Sequence, residues 1–489
     1  MTVERVDEAE IEARRVRFWA RVDATVKDRK DGYALMPFQK DGIDWLGRRP
    51  RAILADDMGL GKTVQALAAV AGAEAFPCLV ITRSTLKGMW ESQIAQWTGM
   101  TSYVMNTGAR SAAIRAQKTL PRKFFVSHYE GVRAEAEKLR EIEWKSIIID
   151  EATDIKNRSA QRTKAVKSIR APRIILLSGT PLLNSPLDLW SLLNEINPAA
   201  WPSYYKFEKR YAIMGGWMGK QVIGYRNVPE LTMALQSVML RRRKDEVLKD
   251  LPPKTYSDVW LELPAWQRKF YEIVKTEVLI EIAKDKTLTV ATALAKLTRL
   301  KQAATWPQVQ LGLDAKEMPV KLDALLEILE ERAGKKTLVF SKSAKVIDAA
   351  VKLVKVKRPG AEVFALTGQT PQDQRQPRVD AFQTSSREAI WFATIDAGGM
   401  GLTLTAADTV VFLDKDFRPK INEQAEDRAH RIGQKGNVQV ISLIAKDTIE
   451  EHIERILDKK RDLFDAIVEK DGGFKAERIT MEDLKELWS

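Results

Sequence analysis

The chain has 489 residues and a formal net charge of +13 at pH 7. Its length implies roughly two to four domains, and its basic excess favours a polyanionic partner, nucleic acid before membrane surface. A single cysteine, Cys78, and scattered histidines at 128, 430 and 452 exclude an internal disulfide framework and show no zinc-site spacing.

The N-terminal stretch is charged from Glu4 through Arg17 and lacks the apolar centre of a signal peptide. No apolar run reaches the ~20 residues of a membrane span. The protein is therefore expected to be soluble and intracellular, in cytoplasm, nucleus or nucleoid, with no membrane partner. Residues 4–30 carry Ile11, Val16, Trp19, Val22 and Val26 at roughly helical spacing, which predicts a lead-in helix. In the segment from Leu35 to Leu46, Pro37 suits the first turn of a second helix. Gln39 in that turn is either a surface glutamine or an adenine reader, since its amide both donates and accepts.

The run Ala52-Ile53-Leu54 reads as a buried strand and the stretch from Val64 to Val70 as a helix. Between them lies Ala55-Asp56-Asp57-Met58-Gly59-Leu60-Gly61-Lys62-Thr63. A glycine loop from strand to helix lets backbone N–H groups approach an anion, and the helix N-terminus adds its positive end. Asp57 through Thr63 would cradle phosphates, with Lys62 on the β- and γ-phosphates and the Thr63 hydroxyl on Mg²⁺. Asp56 stands where the general pattern has glycine, and a bare Gly-Leu-Gly-Lys-Thr loop is also compatible with an ordinary turn.

Cys78-Leu79-Val80-Ile81 and Phe124-Phe125-Val126-Ser127-His128 are further strands with polar ends. The segment from Ser146 to Glu151 runs from apolar residues straight into two carboxylates. Asp150 at that strand end can hold Mg²⁺ through water, and Glu151 can orient or deprotonate an attacking water. A basic run from Lys156 to Arg173 reads as a solvated helix face. The strand Ile174-Ile175-Leu176-Leu177 ends in Ser178-Gly179-Thr180. Strands alternating with helices from 50 to 180 predict a parallel, doubly wound sheet.

From about 186 to 320 the period is helical, interrupted by Arg241-Arg242-Arg243-Lys244 and then Pro252-Pro253. The four cations read as a hinge facing a phosphate backbone or as a solvated patch. Alternation resumes from Lys321, with strands at 337–340, 362–366, 389–394 and 409–413. The third enters the glycine-rich run 397–402. The stretch from Gln424 to Gln434 reads as a helix, which would put Gln424, Arg428 and Arg431 on one face. Two arginines aimed together suit a transferring phosphoryl group, whose charge grows in the transition state.

Taken in order, these residues resemble helicase superfamily 2, and within it the Swi/Snf-type ATPases that translocate on double-stranded DNA. The likeness covers about residues 33–458. Gln39 matches the adenine-reading motif, Lys62-Thr63 Walker A, and Asp150-Glu151 Walker B. Leu177 through Asn184 resembles motif III, Ala397 through Leu402 motif V, and Gln424 through Gln434 motif VI. The resemblance implies that Gly401 and Gln424 join the nucleotide site and that Arg428 and Arg431 are arginine fingers. Trp190 through Asn194 and Met239 through Val247 match segments particular to this family. The sequence departs from the family at Thr153, where His is usual, at Thr82-Arg83, and at Asp416-Phe417-Arg418-Pro419, which replaces a Trp-Asn-Pro segment.

The resemblance implies an α/β fold of two RecA-like doubly wound parallel-sheet lobes with helical protrusions between them. The expected division is a lead-in helix at 1–30, an ATP-binding lobe at 31–185 and its helical protrusion at 186–250. A linker with a second protrusion then covers 251–320, a helicase C-terminal lobe 321–468 and a tail 469–489. ATP and Mg²⁺ are the expected cofactors and double-stranded DNA, read without sequence preference, the expected partner. Ser84, Lys87, Tyr129, Ser341, Lys342, Thr367 and Arg375, at strand ends of both lobes, would touch its phosphates. The tails leave no room for a reader domain, so the chain is expected to act as a monomeric motor whose targeting comes from protein partners. Two rivals remain: a strand-separating DNA or RNA helicase, and a nucleotide-gated binding module with little turnover.

Overall fold

A computed structural model describes residues 8–26, 34–105, 123–179, 185–215, 221–284, 290–398 and 402–455. Among these the chain divides into two compact units, with the boundary between Lys249 and Asp250.

In the first unit the short apolar runs become strands Arg51–Leu54 (β1), Cys78–Thr82 (β2), Ser102–Val104 (β3), Phe124–His128 (β4), Ser146–Ile149 (β5) and Arg173–Leu177 (β6). Ala212–Gly215 (β7) and Gln221–Tyr225 (β8) pair as an antiparallel hairpin, and Met239–Leu240 (β9) follows. The sheet order is β3-β4-β2-β5-β6-β1-β9, and every pair in it is parallel. Continuous rather than alternating apolar strands are what a sheet covered on both faces needs. Cys78 is inside this sheet, and burial pushes its thiol up to about 12.

Helices Glu8–Thr25 (α1), Pro37–Gly47 (α2), Lys62–Gly72 (α3) and Lys87–Thr98 (α4) belong to the same unit. The alanine-rich α3 is buried from Val64 to Gly72, so it can lie close under the sheet. Val22 of α1, Ile43 of α2 and Ala68 of α3 pack together with Phe18 and Trp19. Burial of Val22 and of Ile43 contributes about 1.5–3 kcal/mol each.

The basic run of 156–173 is only partly the solvated face expected of it. Arg162, Lys164 and Arg170 are exposed, but Lys167 donates to the Ser191 carbonyl at 2.7 Å and to Asn194 at 2.9 Å. Burial pulls the Lys167 ammonium down to about 8. The Arg173 guanidinium binds the Leu46 and Arg49 carbonyls at 2.8 and 3.0 Å.

The second unit holds Lys254–Leu261 (β10), Lys336–Ser341 (β11), Glu362–Leu366 (β12), Ala389–Thr394 (β13), Thr409–Phe412 (β14) and Val438–Ala445 (β15). Their order is β10-β15-β14-β11-β13-β12, again all parallel. Both units are thus parallel-sheet α/β lobes, the fold class the sequence implies. Helices Ala265–Lys284 and Val290–Thr305 pack on each other and on Ile449 and Ile453.

Three features differ from the sequence reading. The 186–320 region is not purely helical, since β7, β8, β9 and β10 lie within it. The second sheet has two strands the sequence reading missed, β10 and β15, which pair over their whole length. The helix read from Gln424 to Gln434 is instead Pro419–Glu426, so Gln424, Arg428 and Arg431 do not share a helical face. The ladder breaks where the Arg428 and Ala429 N–H groups donate three residues back, to the Ala425 and Glu426 carbonyls at 3.2 and 3.0 Å, and the carbonyls further on take other donors. Leu404 N–H donates to the Arg428 carbonyl at 2.9 Å, and the Gln434 amide donates to that of Ala429 at 3.0 Å.

Candidate active site

An all-parallel sheet sends every strand out on one edge, and ligands of open α/β sheets sit there. In the first unit β1 ends in the phosphate loop, β2 in Thr82, β5 in Asp150-Glu151 and β6 in Ser178-Gly179. The loop residues Gly59 and Gly61 have φ of 84° and 75°, the left-handed region that side chains disfavour. A Cβ on Gly61 would also meet the Gln39 amide nitrogen at 2.4 Å.

Lys62 opens α3 and folds its ammonium back onto the Asp56 and Asp57 carbonyls, at 2.7 and 3.1 Å. Burial pushes its pKa down, against the charges of Asp56, Glu151, Asp57 and Asp150. Asp150 and Glu151, at the end of β5, are thus among the charges that act on Lys62. Thr63 follows in the first turn of the helix. Leu60 is buried, so its side chain serves the core and only its backbone faces the loop. Met58 packs against Gly179, where an added Cβ would lie 2.7 Å from its Cγ.

Asp150 is held by three donors. Thr82 Oγ1 and Trp90 Nε1 reach its Oδ2 at 3.0 and 2.8 Å, and the Glu151 N–H reaches Oδ1 at 3.0 Å. This fixes the carboxylate while leaving oxygen lone pairs for a metal-bound water. Glu151 has φ of +50°, a strained position for a residue with a side chain. Burial, and then the neighbouring Asp150 charge, push its carboxyl above the ordinary range, while Arg83 and Lys62 oppose them. Arg83 is bound in turn by both oxygens of Asp154, at 2.7 and 3.1 Å. So Thr82-Arg83, a departure from the family pattern, braces the acidic strand end.

In the second unit the Arg428 and Arg431 guanidiniums both donate to the Leu402 carbonyl, at 3.5 and 3.1 Å. They converge through a turn rather than along a helix. Behind them Lys254 of β10 pairs with Glu426 at 2.9 Å and Asp427 at 3.4 Å, and His430 Nε2 meets the Pro252 carbonyl at 2.8 Å. Gln424 is buried in the last turn of its helix. Gly401 and Thr180 lie outside the described residues.

Several expected contacts are placed differently. Gln39 already spends its amide, with Oε1 accepting from Met36 N–H at 3.0 Å and Nε2 donating to the Leu60 carbonyl at 3.2 Å. Asp57 is held by Arg241 at 3.1 Å and by the Lys244 N–H at 3.2 Å. Tyr129, expected to face phosphates, is buried, and its hydroxyl donates to the Asp150 and Glu151 carbonyls at 2.5 and 3.2 Å. Lys87, Ser341 and Thr367 are also buried, Ser341 donating to Asp414. Lys342 is paired with Asp396 and Asp416 at 2.6 and 2.7 Å, and Arg375 donates to the Thr370 carbonyl at 3.0 Å. Ser84 is exposed. In four of them the polar group is already partnered within its own unit: Tyr129 and Arg375 by carbonyls, Ser341 and Lys342 by carboxylates. The sequence reading missed Asp56, Gln65, Trp90, Arg83 and Arg242 as members of this site.

Among the described residues no helix is long and apolar enough to cross a membrane. Comparison with known proteins gives two family matches: an SNF2-related domain over residues 38–309 and a helicase conserved C-terminal domain over 320–433. A human SWI/SNF-related matrix-associated actin-dependent regulator of chromatin, subfamily A member 1, is 31% identical over 90% of this chain and 44% of that protein. A putative ATP-dependent helicase/translocase of Bacillus subtilis is 30% identical over 93% of this chain and 51% of that protein. The chain thus spans about half the length of these curated relatives. A solved SWI2/SNF2 ATPase core of Sulfolobus solfataricus in complex with dsDNA matches at 28% identity and a TM-score of 0.43, over 93% of this chain and 97% of that one.

Proposed function

The chain belongs to the SNF2-related family of helicase-like ATPases, and from that premise we propose that it is an ATP-driven translocase on double-stranded DNA. The observation that carries the reading is the gathering of Lys62, Asp150 and Glu151 at one edge of the first sheet. Lys62 would bind the β- and γ-phosphates, Thr63 and Asp150 would hold the metal through oxygen, and Glu151 would accept the proton of the attacking water. Mg²⁺, when bound, neutralises charge building on the transferring phosphoryl group. The donor set fits that ion, since hydroxyl and carboxylate oxygens are its preferred ligands.

Arg428 and Arg431 supply the second half of the chemistry, and the family's scheme brings them to nucleotide held by the first unit. Hydrolysis then alternates a closed and an open arrangement of the lobes, and that alternation drives movement. The net charge of +13 favours tracking a phosphate backbone over reading base edges. Of the expected strand-end contacts, Ser84 is exposed and Lys342 and Arg375 are half-buried, so these three are the ones within reach of a phosphate backbone.

Hydrolysis rates with no nucleic acid, single-stranded DNA, duplex DNA and RNA test the reading. Duplex DNA should accelerate hydrolysis most. Stimulation by RNA alone would point to a helicase, and no stimulation by any of them to a gated binding module.

A further inference from the structure

Asp56 breaks the usual phosphate-loop pattern, and its carboxylate is fully buried. A buried carboxylate is tolerated only when it is paired and hydrogen-bonded. Its partner is Arg242, whose Nε donates to Oδ1 at 3.0 Å and whose Nη2 donates to Oδ2. The same Nη2 reaches Gln65 Oε1 at 2.7 Å, while Nη1 donates to the Phe38 carbonyl. Gln65, on the first turn of α3, returns its amide to Asp56 Oδ2 at 3.1 Å and to the Leu60 carbonyl at 3.3 Å. Space for this triangle depends on Gly42, where a Cβ would fall 1.9 Å from Gln65 Oε1. Every polar atom of the Asp56 side chain is thus spoken for within the first unit.

The backbone repeats the pattern. Ala55 N–H donates to the Leu240 carbonyl at 2.7 Å and Asp57 N–H to that of Arg242 at 3.0 Å. Arg241 adds bonds to the Ala55 carbonyl at 3.0 Å and to Asp57 Oδ1 at 3.1 Å. Residues 240–244 therefore run alongside residues 55–57 as a continuation of the β1–β9 pairing. Lys62 holds the carbonyls of Asp56 and Asp57, and the arginine pair holds their side chains. The four-cation run is therefore not a hinge facing a phosphate backbone, at least at Arg241 and Arg242.

We propose that Arg242, Asp56 and Gln65 form a buried strut that sets the shape of the phosphate loop, with Arg241 as its brace. These are positioning residues, acting on nucleotide through the backbone of residues 55–61. The strut also ties that loop to residues 240–244, a few residues before the first unit ends at Lys249. The inference rests on the nucleotide site proposed above.

The test is titration of a fluorescent ADP with Mg²⁺ against wild type, Asp56→Asn, Arg242→Lys and an Asp56→Asn/Arg242→Gln pair, each corrected for folded fraction by thermal melting. Simple electrostatics and the strut predict opposite signs for Asp56→Asn. Losing a negative charge near phosphates should tighten binding, whereas losing the strut should weaken it by ~10-fold or more and raise KM with little change in kcat. Arg242→Lys should weaken binding too, because an ammonium cannot hold a carboxylate and an amide in one plane. The double variant keeps the core free of an unpaired charge, so it should fold and still bind poorly. Arg243→Gln, an exposed neighbour, should bind as wild type does. Tighter binding by Asp56→Asn, or wild-type affinity in the double variant, would overturn the strut. A wild-type chain that binds no adenine nucleotide would sink the functional reading, and the strut's role with it.

Discussion

Glu151→Gln is expected to bind ATP at least as tightly as the wild type does and to hydrolyse it about 10²–10⁴-fold more slowly, the usual worth of a positioned general base. The substitution keeps the size of the side chain and removes its negative charge and its ability to take a proton. Asp150, Thr63 and Lys62 remain to hold the phosphates and the metal. Lys62→Ala should behave differently and lose nucleotide binding, because no other cation is placed in the loop. Burial and Asp150 hold the Glu151 carboxyl above its ordinary value of 4.5. A base must be ionised to act, so the acid limb of the pH–rate profile should lie above the ordinary glutamate range and vanish in Glu151→Gln. The stability sign is the reverse of the usual carboxylate case. The folded state holds this proton more tightly than the unfolded chain does. The contribution is therefore present at low pH and lost as pH rises from 4.5 through the raised folded value. Wild-type turnover in Glu151→Gln would remove it from the chemistry.

Arg431→Ala is expected to leave nucleotide affinity nearly intact and to lower kcat by ~10³ or more, the worth of an arginine finger. Such a finger meets charge that develops only in the transition state, so its loss should not appear in ground-state binding. The structure gives Arg431 and Arg428 one shared carbonyl, Leu402, which sets both guanidiniums in the same place. Lys254 and Pro252 support the turn from behind through Glu426, Asp427 and His430. A loss expressed entirely as weaker ATP binding would make Arg431 a ground-state ligand instead.

The phosphate loop and the acidic strand end could be read directly from the sequence because each is contiguous. A strand, a polar end and a helix start follow within about ten residues, and parallel strands put all such ends on one edge. What could not be read depends on residues far apart in the chain. Arg242 is 186 residues from Asp56, and nothing local marks two arginines in a row of four cations as partners of the phosphate loop. Tyr129 looked like a polar strand end, but its hydroxyl is aimed at the carbonyls of the next strand's terminus. The helix expected through Arg431 has no breaker before Gly433, and it ends early where the Arg428 and Ala429 N–H groups bond three residues back instead of four. Strand β10 alternates exposed and half-buried residues at a sheet edge, a pattern that Pro252-Pro253 disguised as linker. The fold class, by contrast, follows from repeated apolar runs of four to six residues, a signal that does not depend on any one contact.

Movement along a paired duplex is the central claim, and triplex displacement measures it directly. A third strand bound to duplex DNA is released when a motor passes beneath it, whether or not the duplex opens. With ATP the wild-type chain should displace that strand, Glu151→Gln should not, and a forked duplex under the same conditions should stay paired. Displacement that needs no ATP, or efficient unwinding of the fork, would contradict the account.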